Sequence, residues 1–372
     1  MDFSLTETQE ELAGLARKIL SDRMTTAHLK AVERTDTGYD ADTWRELGAA
    51  NLLGVGVPEA HGGLGLGFLD LCMVLREVGR HVAPLPAIAT LASAALPIAS
   101  FGTDAQRAVL ADVVSGDAVL TAALQEHTAE PESPTTRATR EGDGWRIDGV
   151  KTAVPYAHVA RLMLVPAATD AGVALFLVAP SATGVTLDRQ EGQSAEPIFL
   201  VTLDGVRVGS DALLGGDAAD GAAALRFTLD RTMVAMCAVV SGTSAEAVRI
   251  TAAYSAERKQ FGHPIGEFQA VHTRMADAYI DSQAIELTML QAATHLDEGR
   301  DVPDEVLTAK FWAADGGHRV GHACLHVHGG ISIDLDYPIH RYFLWLKQAE
   351  FTLGAATPQL VRLGRHLADT PA

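Results

Sequence analysis

The hydrophobic positions in the first hundred residues recur at the spacing of amphipathic helices. The segment TETQEELAGLARKIL has its leucines and Ile19 near one helical face, with Thr6 as the predicted N-cap. DADTWRELGAANLLG and LDLCMVLREVGRHV repeat this spacing, and the glycine-rich VPEAHGGLGLG separates them. The glycine run lacks a preceding strand and a Lys-Ser/Thr ending, so we interpret it as a connection between helices. Residues 1–118 are therefore predicted to form an N-terminal helical domain.

The pattern changes from helical to alternating near Val119. The segments WRIDGVKTAV, GVALFLVAP and IFLVTLDGVRVG are short, rich in Val, Leu and Ile, and separated by Gly, Asp and Pro. Such spacing is typical of an antiparallel barrel or sandwich. We predict a central β domain at residues 119–217.

Helical spacing returns at Ala222 and continues through the rest of the chain. Five predicted helices share it: one ending near Gly262, one from about Phe268 to Gly299, one capped by Asp304 and stopped by Gly329 and Gly330, one from Ile339 to Thr352, and one capped by Thr357 with Pro358 as its first residue. Long helices with short loops form bundles, so residues 218–372 are predicted to be a C-terminal helical bundle. The predicted fold class is α+β and multi-domain.

Composition excludes several classes of protein. The 372 residues are 48% hydrophobic and 20% charged, and they contain no uncharged apolar run of about 18 residues, the length that a membrane span needs. A formal net charge of -18 argues against a nucleic-acid surface. Cys72, Cys237 and Cys324 stand far apart and are predicted to be buried thiols. The N-terminal segment lacks a basic-then-apolar signal pattern, so we expect a cytoplasmic protein.

Two polar segments of the predicted bundle could carry chemistry. In RKQFGHPIGEFQAV, Arg258 and Gln260 follow a long helix, and an arginine fork suits phosphate, although a solvated helix end is the alternative. In HRVGHACLHVHGG, His318, His322 and His326 share one helix face. No carboxylate stands where an HExxH motif needs one, and one helix rarely completes a coordination sphere. We therefore predict no metal site, and favour core or ligand-facing histidines.

The whole chain resembles the flavin-dependent acyl-CoA dehydrogenases. The resemblance rests on the order of the three domains and on PEAHGGLGLG, LDGVRVGSDALLG, RKQFGHPIGEFQAV and HVHGGISIDLDYPIHRYF. In that family the Arg-x-x-Phe-Gly segment and the Gly-Gly turn of one subunit reach the FAD of its dimer partner. The resemblance implies FAD contacts from eight residues of this chain: Arg258, Gln260, Phe261, Phe268, Gln269, His326, Gly329 and Gly330. His326 stands where the family usually has glutamine.

The resemblance also implies a carboxylate base that removes the α-proton of an acyl-CoA, and this chain has none at either family position. Leu353 occupies the corner before the last helix, and Thr232 occupies the alternative position on the long helix. Asp230 is a carboxylate, but two residues along a helix turn it by about 200°. We therefore predict no catalytic residue in this chain.

The family's contacts to a subunit's own flavin are replaced as well. LQEHTAEPESP lacks the glycines of the family's flavin loop, Ala153, Val154 and Pro155 stand for its Trp-Ile-Thr, and Ala355 stands for a threonine. Motifs for the partner's flavin remain. We therefore predict a non-catalytic subunit that shares FAD with a homologous catalytic partner.

The segments HVHGGISIDLDYPIHRYF, EFTLGAAT and TPA resemble the non-catalytic subunit of α2β2 acyl-CoA dehydrogenases that act on the CoA thioesters of steroid side chains. That resemblance implies an acyl-CoA bound mainly by the partner, with an electron-transfer flavoprotein as a candidate electron acceptor. It implies neither a nucleic acid nor a membrane as a partner.

Two other interpretations stay open from the sequence. One is an active homo-oligomeric flavoenzyme, with Asp230 as a displaced base or with flavin monooxygenase chemistry on the same fold. The other is a flavin-free scaffold. Flavin content and activity of the purified chain separate these interpretations from the first.

Overall fold

A computed structural model describes residues 3–369, so the TPA segment at 370–372 lies outside the described residues. Within that range, seven α-helices precede the sheet: α1 Glu7–Arg23, α2 Thr26–Val32, α3 Ala41–Ala49, α4 Phe68–Arg80, α5 Leu96–Phe101, α6 Asp104–Arg107 and α7 Leu110–Val114. A π-helix, Ile88–Ala95, leads into α5. The predicted cap of α1 is confirmed, because Thr6 and Gln9 form a reciprocal capping box.

The central strands form one sheet. They are β1 Leu120–Ala122, β2 Arg137–Glu141, β3 Gly144–Pro155, β4 Leu162–Thr169, β5 Gly172–Val178, β6 Val185–Gln190 and β7 Ile198–Val208. Their order is β1-β4-β2-β3-β7-β6, with β5 paired to β4. Ile147, Phe176 and Val201 lie in the core of this sheet, each fully buried.

The sheet is mixed, whereas the sequence predicted antiparallel strands only. β4 runs parallel to β1 and to β2, and the other pairings are antiparallel. Alternating hydrophobicity determines which side chains face the core, but it does not determine which distant strand becomes a neighbour. The predicted α+β fold class, with helices before and after the central strands in the sequence, is unaffected by this correction.

The C-terminal part consists of long helices and one small hairpin. These elements are α8 Gly221–Glu257, β8 Lys259–Gln260, β9 His263–Pro264, α9 Gln269–Asp297, α10 Pro303–His328, α11 Ile339–Phe351 and α12 Ala356–Asp369. α8 ends before the predicted Gly262 because Lys259 and Gln260 pair with Pro264 and His263.

Two predicted helix caps are wrong. Val302 is the N-cap of α10 and makes no side-chain cap hydrogen bond, while Pro303 takes the first position, which its missing N–H suits. Asp304 therefore lies in the first turn, where its charge favours the helix dipole. Likewise α12 begins at Ala356, which places Thr357 inside the helix.

The described residues divide into two compact units. One unit contains the described residues up to Ala31, Phe68–Ala83 and those from Met233 onward, and the other contains Val32–Gly67 and Pro84–Thr232. α8 contributes to both. The limits 1–118, 119–217 and 218–372 stay a prediction.

α8 is long and apolar enough to cross a membrane by length and composition alone. Its most apolar 18-residue segment has a mean hydropathy of 1.3, but 78% of that segment is buried inside the fold. This burial is typical of a core helix. Cys237 of α8 is also buried, which raises the pKa of its thiol to about 12. All three cysteines are buried, as predicted, and none forms a disulfide within residues 3–369.

Glycines allow α4 and α8 to cross with their backbones in contact. A Cβ added at Gly242 would lie 1.8 Å from the Arg76 carbonyl oxygen. Because backbone atoms cannot yield as a side chain does, we expect Gly242→Ala to lower the free energy of unfolding by about 1–3 kcal/mol in urea denaturation. Gly14→Ala is the control, since an added Cβ meets nothing within 4 Å there. That exposed α1 position should gain about 0.5–1 kcal/mol. Equal stability of the Gly242→Ala and wild-type proteins would contradict this account.

Candidate functional site

An exposed hairpin joins α8 to α9. Phe261 occupies its turn with a φ of 52° and is 92% exposed. Its ring meets Phe268 edge-on, with the centroids 6.3 Å apart. A large aromatic side chain in the left-handed region and in water indicates a surface that contacts another molecule.

Arg258 stands at the base of this hairpin. Its carbonyl oxygen accepts a hydrogen bond from the Ile265 backbone at 2.8 Å, which fixes the backbone. The guanidinium is exposed and has no hydrogen bond or ion pair within residues 3–369. The neighbouring Gln260 amide donates to the Lys259 carbonyl oxygen at 2.7 Å. Arg258 is therefore available for an external anion.

The turn after α10 leaves backbone open to solvent. Gly329 ends the helix with a φ of 62°, a conformation that favours glycine. A Cβ added at Gly329 or Gly330 would meet nothing within 4 Å, so a ligand can approach the backbone directly. Beyond this turn, Ile333 is 82% exposed and Leu335 is 63% exposed. This surface is therefore both open and partly apolar.

An aromatic cluster brings the hairpin and the Gly-Gly turn together. The ring of Tyr254 stacks on His328 at 4.4 Å, and Tyr337 lies 6.3 Å from Tyr254 and 5.3 Å from His328. Burial lowers the pKa of His328, which favours a neutral ring, and its Nδ1 lies 2.8 Å from the Cys324 carbonyl oxygen. Arg258 follows Tyr254 by four residues, and Gly329 follows His328 directly. Nothing in the sequence linked these three rings.

A groove of about 1210 Å³ lies between α9 and α10. It brings together Gln269 at the start of α9 and His326 near the end of α10, both predicted from the resemblance. It also includes Arg274, which the sequence reasoning missed. The spacing of Ala270, Thr273 and Asp277 along one helical face was the available signal.

The other two histidines of the predicted set lie further along the same groove. His318 Nδ1 is 3.1 Å from both Glu350 Oε2 and Lys347 Nζ, and the ring of His322 lies 4.4 Å from that of His318. Burial, together with His318 and Lys347, lowers the pKa of His322. Among the described residues no group of three or more His, Cys, Asp or Glu is arranged to hold a metal ion.

Side chains of α12 hold the backbone at the corner between α11 and α12. Leu353 is 3% exposed with a φ of 57°, and its carbonyl oxygen accepts from Gln359 Nε2 at 2.9 Å and from Arg362 at 3.2 Å. The buried ammonium of Lys310 donates to the Ala349 carbonyl oxygen at 2.8 Å, and burial lowers the pKa of Lys310 to about 8. A buried leucine at 353 offers no proton acceptor.

The second position for a base is also occupied by internal contacts. Thr232 is 5% exposed, and its hydroxyl lies 2.7 Å from the Thr228 carbonyl oxygen and 3.0 Å from Ser93 Oγ. Asp230 precedes it by two residues and is half-buried. A threonine hydroxyl is too weak a base to take a proton at neutral pH, and this one is also hydrogen-bonded inside the protein.

The strand segment that stands for the family's Trp-Ile-Thr uses its polar groups inside the β domain. The backbone N–H of Ala153 donates to Gln190 Oε1 at 2.9 Å. Val154 is 1% exposed, and the Pro155 carbonyl oxygen accepts from Thr121 Oγ1 at 2.6 Å. The Ala153 N–H and the Pro155 carbonyl oxygen are therefore already hydrogen-bonded within the β domain.

A buried ion pair fixes the loop LQEHTAEPESP. Glu126 Oε1 lies 2.7 Å from Lys151 Nζ, and the two side chains are 5% and 0% exposed. The carboxylate also accepts from the backbone amides of Thr135 and Thr136 at 2.8 and 3.0 Å. Burial by itself would raise the pKa of Glu126, but these donors outweigh it and lower the pKa to about 2. The loop is thereby held by protein contacts.

Comparison with known proteins shows which family the chain belongs to. The model for the acyl-CoA dehydrogenase N-terminal domain matches residues 6–117, and that for the C-terminal domain matches residues 220–368. Acyl-CoA dehydrogenase FadE27 of Mycobacterium tuberculosis is 40% identical over 381 residues, covering 100% of both chains. The chain belongs to the acyl-CoA dehydrogenase family. The predicted family and fold class are confirmed.

Two solved structures share this fold over nearly all of the chain. The ChsE4-ChsE5 complex from Mycobacterium tuberculosis matches with a TM-score of 0.94 and 38% identity, covering 100% of both chains. A variant of the Tcur3481-Tcur3483 steroid ACAD matches with a TM-score of 0.93 and 45% identity, covering 98% of both chains.

Membership of the acyl-CoA dehydrogenase family implies FAD as the cofactor. The residues at the positions for a partner's flavin fit FAD better than the residues at the positions for the chain's own flavin. Exposed Arg258 and the open backbone at Gly329 and Gly330 suit a phosphate-bearing ligand. The paired Glu126 and the Ala153–Pro155 segment do not, since their polar groups are already bonded.

Proposed function

We propose that this chain is the non-catalytic subunit of a heteromeric FAD-dependent acyl-CoA dehydrogenase. One observation carries the proposal. Arg258, Gly329 and Gly330, at positions that would serve a partner's flavin, are exposed. Thr232 and Leu353, at the two base positions, are buried, and the Thr232 hydroxyl and the Ala153 N–H are hydrogen-bonded inside the protein. The chain completes a partner's site and has no complete site of its own.

FAD, when bound, accepts the hydride that leaves the β-carbon of an acyl-CoA. The residues of this chain bind and shape the site. Arg258 binds phosphate, Phe261 covers the ligand, and the turn at Gly329 and Gly330 lets it approach the backbone. A carboxylate of the partner removes the α-proton, because Leu353 and Thr232 cannot accept one.

The proposed partner is a homologous catalytic chain in an α2β2 assembly, and the proposed substrate is the CoA thioester of a steroid side chain. The ChsE4-ChsE5 complex and the Tcur3481-Tcur3483 steroid ACAD support this choice, since both are similar along almost the whole chain. An electron-transfer flavoprotein is the proposed electron acceptor.

Flavin stoichiometry tests the proposal. We expect the chain purified alone to hold little FAD and to lack dehydrogenase activity. Co-expression with a homologous catalytic chain should give one FAD for each pair of chains, measured by flavin absorbance against protein concentration.

A homo-oligomer with one FAD per chain would contradict the proposal, and loss of its activity in Asp230→Asn would then identify the base. Oxygen-dependent product formation by the single chain would indicate a monooxygenase. Complexes that stay free of flavin with every homologous partner would indicate a scaffold.

A further inference from the structure

Three aromatic rings connect the two segments that carry the proposed contacts to the partner's flavin. Tyr254 lies one helical turn before Arg258, whose N–H donates to the Tyr254 carbonyl oxygen at 2.8 Å. His328 lies directly before Gly329, and Tyr337 lies near the other end of the connection from Gly329 to α11. We propose that His328 is a positioning residue, whose neutral ring holds the end of α8 that carries Arg258 beside the Gly-Gly turn and whose protonation releases it. The inference rests on the proposed function.

The ring of His328 contacts both of the other rings. It stacks on Tyr254 with the ring planes 23° apart, and Tyr337 lies at a steeper angle to each of them. The imidazole is 4% exposed, so the cluster shields it from water. Because each ring belongs to a different segment, their packing sets the spacing between the backbone at Arg258 and the backbone at Gly329.

Hydrogen bonding assigns the tautomer of His328. Its Nδ1 lies 2.8 Å from the Cys324 carbonyl oxygen, which can only accept, so Nδ1 carries the proton. Nε2 is then a bare acceptor, and it is buried without a hydrogen-bond partner among residues 3–369. A proton added to Nε2 would bring a charge and an unpaired N–H into this buried position, which costs free energy. Burial accordingly lowers the pKa of His328 from its ordinary value of 6.5.

The surroundings of His328 provide no buried counter-ion for a protonated ring among the described residues. The titratable groups that face the cluster come from three helices and the connection before α11: Tyr254, Glu257, Cys324, Tyr337 and His340. Burial raises the pKa of Tyr337, and it raises that of Cys324 to about 11, so both stay uncharged at neutral pH. Glu257 is exposed, and solvent screens its charge from the buried ring.

The cluster should therefore open as the pH falls. Above about pH 6.5 the ring is neutral in both the closed and the open arrangement, so protonation favours neither. Below that pH the open arrangement takes up a proton first, because its ring is in water and its pKa is not lowered. The closed arrangement then loses population, and the affinity for FAD falls with it until the buried ring is protonated as well.

His328→Phe in the co-purified complex tests the pH dependence. Phenylalanine keeps an aromatic ring between Tyr254 and Tyr337 but cannot be protonated. After removal of flavin, FAD is titrated back at about pH 7.5 and at about pH 5.5, and flavin fluorescence gives the Kd. The wild-type Kd should rise about threefold or more between the two pH values, and this rise should be absent in His328→Phe. Equal rises in the two proteins would overturn the inference.

His81→Phe is the matched control for the loss of a histidine. His81 Nδ1 lies 2.9 Å from the Glu77 carbonyl oxygen, four residues back as in His328, but His81 follows α4 and belongs to neither the ring cluster nor the flavin-contact segments. Its replacement should leave the wild-type rise in Kd unchanged. If His81→Phe abolishes the rise as His328→Phe does, the pH dependence belongs to the fold as a whole and the inference is wrong.

His328→Leu, alone and combined with Arg258→Gln, tests positioning. Leucine fills a similar volume without stacking, so the chain should stay folded, which urea denaturation checks. At about pH 7.5 the Kd for FAD should rise about three- to tenfold, and by less in His328→Phe, which restores the ring. If His328→Leu reduces the yield of folded chain, Tyr254→Leu replaces it.

The double variant shows whether the stack acts through Arg258. Arg258→Gln should raise the Kd by a factor about threefold smaller in the His328→Leu background than in the wild type, because the arginine is already misplaced there. Losses that simply multiply in the double variant would show that the two residues act independently, and would overturn the inference.

The results separate this inference from the proposed function. If Arg258→Gln weakens FAD binding while the His328 variants change neither the Kd nor its pH dependence, the positioning role is wrong and the proposed function stands. If Arg258→Gln leaves FAD binding unchanged as well, both fail.

Discussion

Lys151→Met is expected to lower the free energy of unfolding by about 3–5 kcal/mol, because it leaves the Glu126 carboxylate buried without its counter-ion. The pair is 2.7 Å apart, with side chains 0% and 5% exposed, so water cannot replace the lost ammonium. Urea denaturation of the co-purified complex measures the change. FAD content per folded pair of chains should not change, since neither residue belongs to the exposed flavin segments.

The double variant Glu126→Gln with Lys151→Met is the control, and it should recover most of the lost stability. Glu126 has its pKa lowered from 4.5 to about 2 in the folded chain. The contribution of the Glu126 carboxylate to the free energy of unfolding is therefore present above about pH 4.5, and it is lost as the pH falls towards 2. The double variant should lack this part of the acid sensitivity. A single variant as stable as the double would contradict the account.

Arg258→Gln is expected to raise the Kd of the complex for FAD about 10- to 150-fold, from the loss of about 1.5–3 kcal/mol in a charge-assisted hydrogen bond. The chain should stay folded, because the guanidinium is exposed and has no partner within residues 3–369. Titration of flavin-free complex with FAD measures the Kd, and urea denaturation checks the fold.

Lys259→Gln provides the comparison for Arg258. Lys259→Gln also removes one positive charge. Because successive side chains of an extended chain point to opposite sides, the Lys259 side chain points away from that of Arg258. A change in Kd of no more than about threefold is expected there, consistent with a solvent-screened charge. Equal losses in the two variants would indicate a general effect of charge, and wild-type affinity in Arg258→Gln would contradict its assigned role.

The long helices could be predicted from sequence because each buries one face over many turns, and helical periodicity reports that burial. Their ends were less certain. Asp304 and Thr357 are good capping residues by type, yet Val302 caps α10 and Ala356 begins α12. A cap depends on the backbone angles at the helix end, which nearby residues do not fix. The parallel pairing of β4 likewise depends on strands distant in sequence.

Resemblance identified the exposed segments of the candidate site, but it could not identify what holds them. Tyr254 lies in α8, His328 at the end of α10 and Tyr337 in the connection before α11, and no local pattern connects them. Lys151 finds Glu126 across 25 residues of chain, and each looks like an ordinary surface charge in the sequence. Such pairs form only in the completed fold, so hydrophobic periodicity along the sequence cannot predict them.

The exposed side chains beside the Gly-Gly turn and in the hairpin also affect how much of this chain a cell retains. A copy without a partner presents Phe261, Ile333 and Leu335 to water, at 92%, 82% and 63% exposure. Apolar surface of this kind attracts chaperones and proteases. Under the proposed function, the scarcer of the two chains sets the amount of working enzyme, and surplus copies of this chain are cleared rather than stored.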